Sequence, residues 1–307
     1  MSRTAVLLMA YGSPRTPGEV EPYFTDIRGG RPPSPQVLKV LADRYERIGG
    51  KSPLNEITQE QAESLEELLE HESTGSYAVF TGMKHWHPFI ADAVTKINDA
   101  GINKVIALVL APHFSKKSIG EYETRILKAR EATGANFELT MVKSWYDEPA
   151  FVDLVAGNLT DTLKGWDASE PGTCVFFTAH SIPARIVAEG DPYADQLAGS
   201  ARLIAEAAGI TNYTTGWQSE STTGEPWLGP DILNRLETFA AEGGKRAVIA
   251  PVGFVADHLE VLFDVDVECV AKAAELGIEL RRIPSPNADQ RFIRALAGIV
   301  SRYSDQS

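Results

Sequence analysis

Short apolar runs bounded by turn-forming residues alternate along this chain with longer stretches whose apolar residues recur every third or fourth position. The short runs predict buried strands, and the longer ones predict helices covered on one face. Strands are predicted at 4–10, 77–82, 104–110, 137–142, 173–179, 213–218, 246–250 and 278–282. Helices are predicted at 34–48, 57–72, 88–100, 117–133, 148–164, 191–208, 230–242, 257–274 and 287–304. Strand followed by helix, many times over, is the signature of βαβ units and parallel sheets, here with four strands in each half.

The halves echo each other. Leu7-Leu-Met-Ala-Tyr-Gly-Ser-Pro14 and Phe176-Phe-Thr-Ala-His-Ser-Ile-Pro183 share one plan: an apolar strand, Ala, a polar ring residue, then Pro three positions on. Val109-Leu-Ala-Pro-His-Phe114 resembles Val248-Ile-Ala-Pro-Val-Gly-Phe254 in the same way. Two similar α/β lobes with a cleft between them are expected. The first is placed over 1–145 and the second over 146–307, with a boundary near Trp145 and the last helix, 287–304, packing back on the first lobe. Open parallel sheets bind ligands beyond the carboxyl ends of their strands. Tyr11, His113, His180 and Glu260 lie at or just past such ends. A long insertion, 12–76, carries Arg28, Arg31, Arg44, Arg47 and Lys51.

Composition narrows the reading. With 307 residues, 43% of them hydrophobic and 23% charged, the chain can bury a large core, and disorder is excluded. Lys+Arg 29 against Asp+Glu 42 gives −13, which disfavours nucleic acid and anionic membranes as partners. Cys174 and Cys269 stand far apart, so neither a disulfide framework nor a CxxC metal site is indicated, and a reducing cytoplasm is expected. The opening run Ala5–Ala10 is too short for a membrane span and lacks a leader's cleavage pattern.

Four features carry candidate chemistry. Gly50-Lys51-Ser52 looks like the tail of a phosphate loop, but Tyr45 stands where that loop needs glycine and a helix precedes it, so a helix cap followed by a turn is the better reading. His85-x-His87 would form a metal pair only on a continuing strand; packing or exposure at a turn is expected instead. His180 would be an ordinary core histidine were it not at a strand end facing the presumed cleft, where proton transfer or metal contact suits an imidazole. Glu260, Asp264 and Glu268, at i, i+4 and i+8, form a carboxylate ladder of about 12 Å on a helix. Like charges at that spacing repel. A solvated face and a path for a hydrated divalent cation are equally good readings of the spacing alone.

Together these segments resemble the ferrochelatases, most closely the soluble Gram-positive type that uses coproporphyrin. The resemblance rests on Met9-Ala-Tyr-Gly-Ser-Pro14, Arg44 through Leu54, Ala111-Pro-His-Phe-Ser115, Ser144-Trp-Tyr-Asp-Glu-Pro149, Ala179-His-Ser-Ile-Pro183, Gly216-Trp-Gln-Ser219, Pro226-Trp-Leu-Gly-Pro230 and Pro251 through Glu268. It implies two Rossmann-like lobes around a porphyrin cleft and an enzyme, a lyase of haem biosynthesis, that inserts Fe2+ into coproporphyrin III. By the same resemblance His180 and Glu260 are the catalytic metal-side pair, Asp264 and Glu268 extend the metal path, and Tyr11 faces the other side of the ring. Arg28, Arg44, Tyr45, Ser52 and Tyr122 are implied as further porphyrin contacts.

Fe2+ is then a substrate and no resident cofactor is expected. Two cysteines cannot supply the four of the iron–sulfur cluster found in many actinobacterial relatives. The polar Ser304–Ser307 end gives no support to membrane attachment. A cytoplasmic monomer is expected, making transient contacts with neighbouring haem-pathway enzymes. A protoporphyrin IX ferrochelatase, a cobalt or nickel chelatase for a sirohydrochlorin-type ring, and a non-enzymatic tetrapyrrole carrier are the alternatives.

Overall fold

The computed structural model describes residues 3–73, 75–220 and 224–304. Its eight strands are β1 (Thr4–Ala10), β2 (Tyr77–Met83), β3 (Lys104–Val109), β4 (Glu138–Val142), β5 (Thr173–His180), β6 (Tyr213–Gln218), β7 (Arg246–Ala250) and β8 (Glu279–Arg282). They form two four-stranded sheets, β2-β1-β3-β4 and β6-β5-β7-β8, with every pair parallel. The two sheets therefore have the same topology, as the echoed segments predict. In each, the strand order reverses beside the first strand of the lobe, and such a reversal opens a crevice at the carboxyl ends. Tyr11 follows β1 and His180 ends β5, so the echoed ring residues stand at equivalent crevices.

The helices are α1 (Val20–Ile27), α2 (Pro35–Arg47), α3 (Leu54–Glu72), α4 (Ile90–Asp99), α5 (Ile119–Thr133), α6 (Pro149–Thr162), α7 (Ala184–Ala188), α8 (Tyr193–Ala208), α9 (Ile232–Ala241), α10 (Leu259–Leu262), α11 (Val270–Leu276) and α12 (Gln290–Ser304). Because helices cover both faces of each sheet, successive strand residues are all buried, as from Ala5 to Met9. Side chains still alternate between faces: Ala5, Leu7 and Met9 pack with α4 and α5, whereas Val6 and Leu8 enter a second core. That second core is shared, since Phe177 and Val248 of the other sheet join it with Phe151 of α6 and Phe292 and Leu296 of α12. Trp145 sits in it against Phe151, ring centroids 5.1 Å apart, and donates its indole N–H to the Val109 carbonyl. The last helix, α12, packs on both α3 and α6.

Three local differences from the sequence pattern matter. The insertion holds an additional 3-10 turn (Pro17–Glu19) and α1, anchored where Tyr23 donates its hydroxyl to the Gly12 carbonyl. Short α7 follows β5. The helix predicted over 257–274 is not uniform: α10 gives way to a π-helical turn, Asp264–Cys269, before α11. There the Phe263 carbonyl accepts from both Val267 and Glu268, at 3.1 and 2.9 Å. The segment at Gly50 is a helix cap, with Gly49 and Gly50 at φ +96° and +93° and the Gly50 N–H donating to the Tyr45 carbonyl.

Candidate active site

The buried length of β5 delivers His180 to the rim of the crevice with its side chain 34% exposed. Its Nδ1 bonds the Ser181 carbonyl, and its main-chain carbonyl accepts from the Tyr193 hydroxyl at 3.0 Å. With Nδ1–H committed, Nε2 faces Glu260 Oε1 at 3.4 Å. It can donate there only as an imidazolium. Burial alone would lower the proton affinity of His180, but the Glu260 carboxylate outweighs it and raises it. Glu260 lies in the first turn of α10, where its second oxygen, Oε2, is 3.4 Å from His258 Nε2. Burial pushes the Glu260 carboxyl up, but His180 and His258 hold it well below the usual carboxylate range. The resting site is therefore a carboxylate gripped by a protonated His180 on one oxygen and approached by His258 on the other.

Backbone geometry here depends on Gln218, at the end of β6 and buried. Its amide donates to the Glu260 carbonyl at 3.0 Å and accepts from the Thr178 hydroxyl at 2.6 Å. One side chain thus ties the strand bearing His180 to the helix bearing Glu260. The sequence reading gave roles to neither His258 nor Gln218. His258 had a visible signal, two positions before Glu260 at the mouth of the same helix. Gln218 falls within the Gly216-Trp-Gln-Ser219 segment of the resemblance, but its role is set by where β6 ends beside β5.

Asp264 and Glu268 lie further along, on the π turn. Asp264 is nearly buried, accepts from the Ser219 hydroxyl, and lies 4.0 Å from Arg44 Nη1. Burial, then repulsion from Glu260, pushes its carboxyl up to about 7. Glu268 is partly exposed. The row therefore runs from a half-exposed acid through one that is half-protonated near neutrality to a fully charged one. Among the described residues no three His, Cys, Asp or Glu side chains form a metal cage.

Tyr11 lies across the cleft, 39% exposed. It rests on His85, ring centroids 4.5 Å apart, and under the Lys84 ammonium at 5.7 Å. Desolvation, then the charge of Glu260, raises its hydroxyl above the ordinary phenol range, so the two walls sense each other. His85 is buried on Asp26 (Nδ1 to Oδ2 2.7 Å) while His87 is exposed, so the two histidines face different surroundings.

The remaining sequence candidates divide by exposure. Arg28 is exposed at the end of α1, and Arg44 projects from α2 over the Phe263 ring at 4.8 Å. Tyr45, Ser52 and Tyr122 are buried. Tyr45 bonds Ser13 at 3.2 Å, and Ser52 accepts from the Leu54 N–H at the start of α3 at 3.3 Å. Tyr122 lies beneath the Lys84 ammonium at 5.3 Å. His113 is buried between the lobes with Nε2 on the Ser200 hydroxyl, at 2.9 Å, and is not part of this cluster.

Residues 3–304 match the protein-family model Ferrochelatase. The chain is 46% identical over 301 residues to the ferrochelatase of Herpetosiphon aurantiacus, covering 98% of this chain and 99% of that one. It is 46% identical over 308 residues to the coproporphyrin III ferrochelatase of Bacillus pumilus (99% and 98% covered) and 45% over 301 residues to that of Bacillus subtilis (97% of each). Among solved structures it shares its fold with SirB from Bacillus subtilis with Fe3+, at a TM-score of 0.62 and 12% identity over 98% of this chain and 95% of that one.

Proposed function

The chain belongs to the ferrochelatase family, and on that premise we propose that it inserts Fe2+ into coproporphyrin III, giving coproheme and two protons in haem biosynthesis. Full-length similarity to coproporphyrin III ferrochelatases supports the choice of ring. The observation that carries the chemistry is the His180–Glu260 pair, set at the carboxyl end of β5 opposite Tyr11.

Iron insertion must strip water from the metal and remove two pyrrole protons from the ring. An imidazolium can neither bind iron nor accept a proton. Fe2+ arriving at Glu260 sets two positive charges beside His180 and so drives its proton to solvent, freeing Nε2 as a second ligand. Loading is thus an exchange of metal for proton. Two protein ligands leave most of the metal's coordination open, so it can move on; a closed four-ligand site would retain it. As iron passes into the ring, one pyrrole proton returns to His180 and the other to a carboxylate, for which Asp264, near neutrality, is suited. Base catalysis of this kind is worth about 10²–10⁴ in rate. Tyr11 supports the face of the ring away from the metal, and Arg28 is free to meet a propionate.

No resident cofactor enters this scheme, Fe2+ being a substrate. No helix of the described residues is long and apolar enough to cross a membrane. A cytoplasmic location is our reading of the two free, buried cysteines, Cys174 and Cys269, which suit a reducing compartment. Anaerobic insertion assays with coproporphyrin III and protoporphyrin IX, side by side, test the reading. Fe2+ insertion with preference for coproporphyrin III is expected. Preference for protoporphyrin, turnover only with cobalt or nickel in a sirohydrochlorin-type ring, or binding without insertion would each replace it with one of the alternatives.

A further inference from the structure

Five carboxylates fall within Asp257–Glu268, and only three of them belong to the row Glu260, Asp264 and Glu268. The other two, Asp257 and Asp266, meet one cation. Arg282, at the end of β8 and with its side chain 16% exposed, donates Nε to Asp266 Oδ1 at 2.7 Å and Nη2 to Asp266 Oδ2 at 2.9 Å. Its Nη1 reaches Asp257 Oδ1 at 3.3 Å and the Ile283 carbonyl at 3.1 Å. Asp257 is held further by the Ser285 hydroxyl at 2.7 Å and the Asn287 amide at 3.0 Å. The Asn287 carbonyl in turn accepts from Gln61 of α3, at 2.8 Å, which carries the network to the first lobe.

The guanidinium therefore joins two points of one segment, and between them lie His258, Glu260, the wide turn at Phe263 and Asp264. A π turn is a costly local conformation that needs support from its surroundings. If it relaxed to α-helical register, each residue of slip would rotate the downstream side chains by about 100° and shift them about 1.5 Å. Asp264 would then turn away from the Ser219 hydroxyl and from Arg44, the two partners that hold it beside Glu260 in the cleft. A planar, bidentate fork resists that slip, whereas an ammonium on a flexible stem does not.

We propose that Arg282 is a positioning residue for iron delivery, its fork on Asp266 and its contact to Asp257 holding the π turn, and with it Asp264 and Glu268, in place behind the His180–Glu260 pair. This rests on the reading of the row as the iron path.

The test measures KM for Fe2+, KM for coproporphyrin III, kcat and Tm for Arg282→Lys, Arg282→Gln and Asp266→Asn, with Asp264→Asn/Glu268→Gln as reference. All three single variants should raise KM for Fe2+ roughly tenfold or more, the usual cost of losing a group that orients a metal ligand, with the porphyrin KM unchanged. Arg282→Gln combined with Asp266→Asn should cost no more than Arg282→Gln alone, because the fork on Asp266 is already lost in that single variant. If the reference raises KM for Fe2+ but the Arg282 and Asp266 variants do not, the positioning role is overturned and the iron path stands. Arg282→Lys with a wild-type KM would overturn it as well, showing that charge suffices without the fork. A reference variant with unchanged iron dependence overturns the path and this inference together. Should Arg282→Gln fail to fold, Asp266→Asn, which leaves the cation in place, decides the same question.

Discussion

Arg44 of the first lobe and Asp264 of the second approach to 4.0 Å across the cleft, Nη1 to Oδ1. The same guanidinium lies 4.8 Å from the centroid of the Phe263 ring, and that of Arg47 lies 5.2 Å from it. The basic helix α2 therefore meets the acidic row at the residue where its wide turn begins, and the charge of Arg44 is already engaged without a substrate.

This separates the two arginines that the sequence treats alike. Arg28→Ala should weaken coproporphyrin III more than protoporphyrin IX, because four propionates offer more carboxylates than two, and loss of one charge-assisted hydrogen bond costs about 1.5–3 kcal/mol. Arg44→Ala should act mainly on iron: Asp264 loses the cation that lowers its pKa and carries less negative charge near neutrality. Ring-binding titrations by porphyrin fluorescence, set beside KM for Fe2+, read both effects. Equal losses for the two rings in Arg28→Ala would leave that residue a general surface charge.

His180→Ala and Glu260→Gln should each lower insertion by about 10²-fold or more while coproporphyrin binding stays within a few fold. His258→Ala should fall between these variants and wild type, since it removes one of two grips on Glu260 and leaves the His180 contact intact. Single-turnover insertion kinetics after ring binding would show it; near-normal turnover in both of the first two variants would remove the pair from the mechanism.

The same pair sets a pH dependence. The proton affinity of His180 is raised from its ordinary value to about 9, burial opposing and the Glu260 carboxylate prevailing. A raised folded value stabilises fully below the unfolded pKa, about 6.5, and that stability is lost as pH rises through the folded value. Between pH 7 and about pH 10, Tm of the wild type should fall more steeply than Tm of His180→Gln, which has no such proton to lose. Parallel profiles from scanning calorimetry would contradict the imidazolium assignment.

Gly253 gives a test that alters no charged group. A Cβ there would lie 2.5 Å from the Ala179 Cβ and 2.8 Å from its Cα, and the Gly253 N–H donates to the Thr178 carbonyl at 3.0 Å. Gly253→Ala must push the loop after β7 away from β5, costing about 1–3 kcal/mol as overpacking does. The displacement also separates His180 from Glu260. Denaturant unfolding and insertion rate should fall together, and a stable variant with normal activity would show that the loop adjusts freely.

Much of the fold was legible because apolar runs with helices on both sides leave an unmistakable pattern: every strand boundary lies within one residue of its predicted position. Helix α1 escaped because it is short and carries Pro22, and its stabilising contact, Tyr23 to Gly12, is tertiary. The π turn escaped for another reason. Glu260, Asp264 and Glu268 keep i, i+4, i+8 spacing whichever backbone carbonyl each N–H chooses, so the side-chain pattern is silent about an i+5 bond. Within the site, strand-end position made His180 a candidate and the i, i+4, i+8 spacing made Glu260 one, while their pairing came from the family resemblance. Gln218 and Arg282 act through partners 42 and 16 residues away, and no local spacing encodes such contacts.

The core that runs from Leu8 and Leu108 through Phe177 and Val248 to Phe292 belongs to both sheets at once. Swinging one wall of the cleft away from the other would tear that dry interior apart and admit water, a penalty out of proportion to any grip on a single ligand. The shared core therefore ties the two walls of the cleft into one body, and their spacing is set by packing that lies well away from the site.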